Sequence, residues 1–276
     1  MRRPPMAESS CPPWSSARPL PSYVGLLGID AEGFTRLPSV SHAAISRLIP
    51  TLVDRALVAA GAGELTRNKR FPANSGDGLL FGFHPDYLPL VVWPFLDCLD
   101  VVLTEHNAGA NAPRLRLRAC VHVGPLSDSG APEDGNGAAR NDTHRLLDSV
   151  AVKDALARSS EAVTHLVAIL SERVYEEWIV AGYTGLHPDR CTRVEATVAG
   201  KEFRRPAWIY VPVPSGGPLA DKSGPVSDRL PDVGGARSPG GRGTQHVGNG
   251  IAFMGSVSGG LRYLAPGSRS PDARDR

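Results

Sequence analysis

Tyr23-Val-Gly-Leu-Leu-Gly-Ile-Asp30 is a short apolar run that closes on an acid, and a Gly33-Phe34-Thr35 turn follows at once. Such a run, bounded by a turn, reads as a buried strand. Downstream, Ile45, Leu48, Ile49, Leu52, Val53, Ala56 and Leu57 recur at helical spacing between Ser39 and Ala60. Pro50 sits inside that pattern, where a missing N–H is expected to kink or divide a helix. Phe71 to Phe83 reads as two strands around the tight turn Ser75-Gly76-Asp77-Gly78. A second apolar helix is expected from Tyr87 to His106. Leu115, Leu117, Ala119, Val121 and Val123 then alternate with Arg116, Arg118, Cys120 and His122, which gives a strand with one buried face.

Beyond it, a polar Gly-rich loop from Leu126 to Gly137 leads to a helix containing Asn141, Arg145 and Leu146. Val163–Leu170 reads as a further strand, Ser171 as the cap of a helix running through Trp178, and Cys191–Val198 with Arg205–Val213 as an antiparallel pair. The order is β-α-β-β-α-β followed by α-β-α-β-β. Split βαβ patterns of this kind predict an α+β fold, ferredoxin-like, with helices packed on a mixed sheet. Three segments follow: a disordered Pro/Ser-rich lead-in at 1–21, a globular domain at 22–213, and a low-complexity tail at 214–276 with a short apolar island at 251–260.

Composition narrows the class. Thirty Lys and Arg against 28 Asp and Glu leave a net charge of +2, with no basic stripe of the sort nucleic-acid binders carry. No stretch of about 18 apolar residues is present, so no membrane-spanning helix is expected. The four cysteines form no CxxC pair, and Cys98 and Cys120 lie in apolar stretches as small core residues. The amino terminus lacks the apolar stretch of a secretory signal. A cytoplasmic protein is the expectation.

Two acids stand out. Asp30 ends the first strand, and Asp77 lies at the hairpin tip. In a β-α-β-β arrangement those strands are neighbours, so both carboxylates reach one edge of the sheet. Magnesium takes one or two carboxylates plus phosphate oxygens, and a metal pair stabilises both oxygens of an in-line phosphoryl displacement. The N–H groups of Glu32, Gly33, Phe34 and Thr35 offer a phosphate nest. Taken singly, each acid reads more readily as a turn former; only their combination points to chemistry. No HExxH cluster and no GxSxG elbow competes with it.

Four segments together resemble a known family. Asp30-Ala-Glu-Gly-Phe-Thr35 is similar to the first metal motif of class III adenylate and guanylate cyclases, and Asn74-Ser-Gly-Asp-Gly-Leu-Leu80 to the second. His122-Val-Gly-Pro125 resembles the family's Gly-Ile/Val-His-x-Gly-Pro strand, and Gly137-Ala-Ala-Arg-Asn141 with Arg145-Leu146 its GxxxN…RL segment. The resemblance implies a class III nucleotidyl cyclase domain that converts a nucleoside triphosphate to a 3′,5′-cyclic nucleotide and pyrophosphate. It implies that Asp30 and Asp77, with the Ala31 carbonyl, hold two divalent cations per site, Mn²⁺ or Mg²⁺. It implies that Gly33, Phe34 and Thr35 touch the triphosphate, that Asn141 orients the ribose, and that Arg145 steadies transition-state charge. It further implies a head-to-tail homodimer, with metals from one chain and Asn141 and Arg145 from the other.

The likeness breaks at the base. Where the family places an adenine-reading Lys and acid, this chain has Ala73 and Asp134. A site that loses its donor loses discrimination for that base. A divergent base pocket beside intact metal and transition-state motifs resembles the bacterial pyrimidine cyclases of the Pycsar antiphage system, which implies UTP ahead of CTP as substrate and a cyclic product read by a separate effector protein. Two alternatives stand beside it: an adenylate or guanylate cyclase with an unusual base pocket, and a catalytically degenerate domain kept as a nucleotide-binding scaffold.

Overall fold

The opening apolar run forms β1, Tyr23–Ala31, buried from Val24 through Ile29. Successive side chains of a strand point to opposite faces, so Leu27, Ile29 and Ala31 face one layer of helices while Val24 and Leu26 face the other. The structure, a computed structural model, describes residues 20–109, 113–129 and 134–215, with 15, 17 and 131 besides. Nearly all of the lead-in at 1–21 and the whole island at 251–260 lie outside the described residues.

The elements follow as α1 (Ser39–Ala59), β2 (Arg70–Asn74), β3 (Gly78–Phe83), α2 (Leu88–Val92), α3 (Phe95–Ala108), β4 (Leu117–Pro125), α4 (Ala138–Leu147), α5 (Val150–Ala157), β5 (Leu166–Ser171), α6 (Glu172–Val174), β6 (Cys191–Thr197) and β7 (Arg204–Tyr210). They build one seven-stranded sheet in the order β2-β3-β1-β4-β5-β7-β6. β4 and β5 run parallel, joined by a crossover through α4 and α5, and every other pair is antiparallel. The expected α+β split βαβ architecture, helices on a mixed sheet, is the one observed. The larger core packs α1 and α3 against β1, β3 and β4 through Ile45, Ile49, Leu52, Phe95 and Leu99. The opposite face packs α4 and α5 through Leu146, Leu147, Val152 and Leu156.

Four sequence expectations need correction. The helix expected from Tyr87 to His106 is two helices, broken at Trp93-Pro94 and bent by 49°. Trp93 adopts an extended conformation, as a residue before proline prefers, and Pro94 has no N–H to continue the ladder. Ser171 does precede α6, yet its side chain makes no capping bond, and only three residues are α-helical before a wider π-type turn carries the chain to Val180. A separate helix, α5, stands where none was expected, set off from α4 at Asp148 and Ser149. Cys120 is fully buried, but Cys98 is only half-buried at the margin of the core. No single helix among the described residues is long and apolar enough to cross a membrane.

Asp100 on α3 is 2% exposed, and one of its carboxylate oxygens, Oδ1, has no hydrogen-bond partner. Burial pushes its pKa up to about 6, opposed by the N–H groups of His165 and Leu166. The folded pKa lies above the unfolded one, so the folded chain holds a proton that the unfolded chain has released. Stability is therefore lost as pH rises from the unfolded value near 4 through about 6. Asp100→Asn keeps an acceptor for the two N–H groups and removes the charge. We expect it to stabilise the protein by about 2 kcal/mol near pH 7.5, the gain roughly halving by about pH 5. Urea unfolding at the two pH values checks both the sign and the trend.

Candidate active site

Asp30 and Asp77 meet at one end of the sheet. Asp30 pairs in register with Gly78 of β3, and the Ala31 N–H donates to the Asp77 carbonyl at 2.8 Å. Gly78 is required at this crossing, because a Cβ there would stand 2.4 Å from the Ile29 carbonyl oxygen. The hairpin tip is also held from α1. Pro50 has no N–H to offer the carbonyl of Ser46 four residues earlier; that carbonyl accepts the Asn74 side-chain amide at 3.3 Å instead. Ser46 Oγ donates to the Gly76 carbonyl, and Ser75 Oγ donates to Asp77 Oδ1 at 2.8 Å. Pro50 does not divide α1, which runs unbroken through it. The carbonyl it frees helps fix the turn that carries Asp77.

Asp30 sits in crowded surroundings. Burial pushes its carboxyl above the ordinary carboxylate range; Arg118 pulls it down, and the neighbouring Asp77 charge pushes it up again. Arg118, directly opposite on β4, donates to Asp30 Oδ2, while its Nε is buried without a partner. The donor set here is all oxygen: two carboxylates on adjacent strands and the Ala31 carbonyl beside them. That set suits a hard divalent cation such as Mg²⁺ or Mn²⁺. Among the described residues no cluster of three or more Asp, Glu, His or Cys surrounds it. Magnesium sites completed by substrate phosphates need only one or two carboxylates, so the residues fit.

The turn after Asp30 is built on Arg116. Its carbonyl accepts the Glu32 N–H at 2.9 Å, and its guanidinium reaches Glu32 Oε2 at 2.7 Å. The Glu32 N–H is thus spent, which removes it from the expected phosphate nest and leaves those of Gly33, Phe34 and Thr35. Gly33 sits at φ 68°, a left-handed conformation that glycine adopts without strain. The Phe34 ring stacks on His42 at 4.3 Å, and Thr35 is exposed. A cavity of about 220 Å³ opens beside this turn, walled in part by Gly33, Arg36 and Arg114.

The remaining predicted residues lie elsewhere. Asn141 and Arg145 project from the exposed side of α4, with Arg145 bound to Asp142 at 3.3 Å and lying over the Phe203 ring at 5.6 Å. Among the described residues, the partners of Asp30 and Asp77 include neither of them. Ala73 is half-buried on the edge strand β2, opposite Leu80. The Asp134 carboxylate accepts the N–H groups of Ser129 and Ala131 and ties its own loop together. Lys69, the nearest lysine to Ala73, is committed to Asp54 of α1.

No family model matches this chain, and no curated protein matches it. Solved structures do. A rhodopsin-guanylyl cyclase catalytic core with converted specificity, in complex with ATPαS, is 14% identical over 70% of this chain and 95% of that one, with a TM-score of 0.44. The guanylyl cyclase Cya2 is 18% identical over 72% and 95%, with a TM-score of 0.42. The adenylyl cyclase CyaB from P. aeruginosa is 16% identical over 71% and 95%, with a TM-score of 0.40. These neighbours are adenylyl and guanylyl cyclase domains. The likeness is one of fold.

Three arginines of this end of the molecule escaped the sequence reading. Arg118 had a signal, since it alternates with core residues and stands across from Asp30 once β1 and β4 are paired. Arg36 and Arg114 had none, because only the folded turn brings them to one cavity.

Proposed function

We propose that this chain is a pyrimidine nucleotide cyclase that converts UTP, ahead of CTP, to the 3′,5′-cyclic nucleotide and pyrophosphate. The observation that carries the reading is the convergence of Asp30 and Asp77 on one sheet end beside a glycine turn and Arg118. Two divalent cations held by Asp30, Asp77 and the Ala31 carbonyl would lower the pKa of the ribose 3′-hydroxyl and neutralise charge on the triphosphate. In this reading the N–H groups of Gly33, Phe34 and Thr35 receive phosphate oxygens, and Arg118, paired with Asp30, holds that carboxylate at the sheet end. Asn141 and Arg145 serve a partner's site in a head-to-tail homodimer: Asn141 positions the ribose, and Arg145 leaves Asp142 to meet charge on the phosphorus in flight. A planar guanidinium suits that task because it stays charged and pairs with two oxygens at once.

The choice of base rests on what the pocket lacks. Ala73 offers no side-chain donor, and Asp134 is engaged by its own loop, so neither position presents a free polar edge to a purine. The chain's likeness to the Pycsar cyclases supports a role in antiphage signalling, the product being read by a separate effector.

Incubating the purified chain with Mn²⁺ and each of the four ribonucleoside triphosphates tests this directly. Cyclic UMP, with less cyclic CMP, is the expected product. Product from ATP or GTP alone would make it a purine cyclase; none from any triphosphate would leave a nucleotide-binding scaffold. In the same assay Arg145→Ala should lose about 10²–10³ in turnover. Its melting temperature should hold, because the side chain is 43% exposed.

A further inference from the structure

A cavity of about 410 Å³ lies on the α4 face of the sheet, at the end away from Asp30. The strand pairing shows how it is built. Val121 pairs with Leu170 and Ser171 with Ala207, so the last residues of β4 and β5 and the first of β7 stand side by side. His122, Ser171 and Arg205 fall on the same face there, in phase with Cys120, Ile169 and Ala207 of the core beneath α4 and α5. Each brings an uncommitted polar group. Ser171 is 6% exposed and its Oγ has no partner. His122 Nδ1 is buried without one. Arg205 meets no carboxylate among the described residues, touching only the Arg204 carbonyl at 3.4 Å and the Phe203 ring at 5.9 Å.

Buried polar groups are nearly always paired, by protein, water or ligand. Burial lowers the His122 pKa to about 4, with Asp142 opposing, so the ring is neutral at physiological pH and presents one N–H. The acids of the wall are Asp142, already bound to Arg145, and Glu172, exposed at the rim. Arg173, which donates to Tyr23 Oη, also lines the wall, and Leu146, Phe203, Pro125 and Pro206 supply its apolar part.

We propose that this cavity binds a small organic carboxylate, its head held by Arg205, Ser171 Oγ and His122 and its apolar body packed against Leu146 and Phe203. The occupant touches α4 through Asp142 and Leu146, the helix that also presents Asn141 and Arg145. Occupancy can be read without any turnover, so the inference stands or falls apart from the cyclase reading.

Fluorine NMR of para-fluorobenzoate against the full chain, with neutral para-fluorobenzamide as its control, is the test. We expect the carboxylate to bind with a dissociation constant of about 1 mM, the order that a ligand of about ten heavy atoms reaches, and the amide not to compete. Arg205→Gln should weaken binding about tenfold and Ser171→Ala about fivefold. Arg205 is exposed and Ser171→Ala removes one atom, so both variants should melt with the wild type. Absence of binding, equal binding of the amide, or unchanged affinity in either variant overturns the site.

Discussion

Replacing Asp30 with alanine will abolish formation of cyclic nucleotide from every triphosphate that the wild-type chain turns over. The side chain is one of two carboxylates at the sheet end, and it supplies charge that no neighbour can replace. Glu32 is bound to Arg116, and Asp77 alone offers a single carboxylate where a metal pair needs two. A loss of at least about 10³ follows if both cations depend on it. Alanine also strands Arg118, whose side chain is only 13% exposed. Asp30→Asn therefore belongs beside it, since the amide oxygen still accepts from Arg118 while the charge is gone. Both variants should fail to make product and both should keep a cooperative melt. Mixing Asp30→Ala with Arg145→Ala should then restore about a quarter of the activity, because half the dimers are mixed and one of their two sites is intact. Turnover by either Asp30 variant would show the metal assignment to be wrong. Failure of the mixture to recover would instead remove the head-to-tail arrangement.

The fold was legible where one periodicity ruled a segment. Leu115 to Val123 alternates cleanly because one face of β4 packs on α3 and the other lies under α4, and register with β1 follows from that burial. Legibility failed where local chemistry and tertiary packing competed. The apolar pattern from Tyr87 to His106 passes through Pro94 without interruption, since both α2 and α3 bury Leu88, Val92, Phe95 and Leu99 in one core. Hydrophobic spacing reports that shared burial and is blind to the break. Pro50 misleads in the opposite sense. Its lost hydrogen bond is made good by Asn74, a residue 28 positions from Ser46, and no local rule announces such a partner.

The same contrast divides the site. Asp30 and Asp77 announce themselves as acids at a strand end and a hairpin tip, and strand order alone brings them together. What surrounds them depends on register. Arg118 is an ordinary outward arginine of an alternating strand until β4 lies against β1, when it faces Asp30. Asp134 shows the reverse: it stands out in sequence as a loop acid, but that its carboxylate accepts the N–H groups of Ser129 and Ala131 is visible only in the folded loop.

Arg116 is the residue on which the turn behind the carboxylates depends, and Arg116→Ala should cost about 3–5 kcal/mol of stability. It is 8% exposed, and its guanidinium serves four acceptors: Glu32 Oε2 at 2.7 Å and the carbonyls of Thr164 at 3.1 Å, Leu156 at 2.6 Å and Ser159 at 3.2 Å. Those carbonyls end α5 and precede β5, so one side chain ties the crossover to the turn that follows Asp30. Removing it leaves a partly buried carboxylate and three carbonyls to find water in a space the protein has closed. Arg116→Lys separates the two contributions. A lysine restores the charge facing Glu32 but cannot span four acceptors with a single ammonium, so it should recover about half the loss. Glu32→Gln leaves the fork in place with a neutral acceptor and should cost only about 1 kcal/mol. Urea midpoints ranked Glu32→Gln, Arg116→Lys, Arg116→Ala in falling stability are the expected result. If Arg116→Ala unfolds within about 1 kcal/mol of the wild type, the turn is held by β1 and β4 pairing alone, and Arg116 is a satisfied passenger.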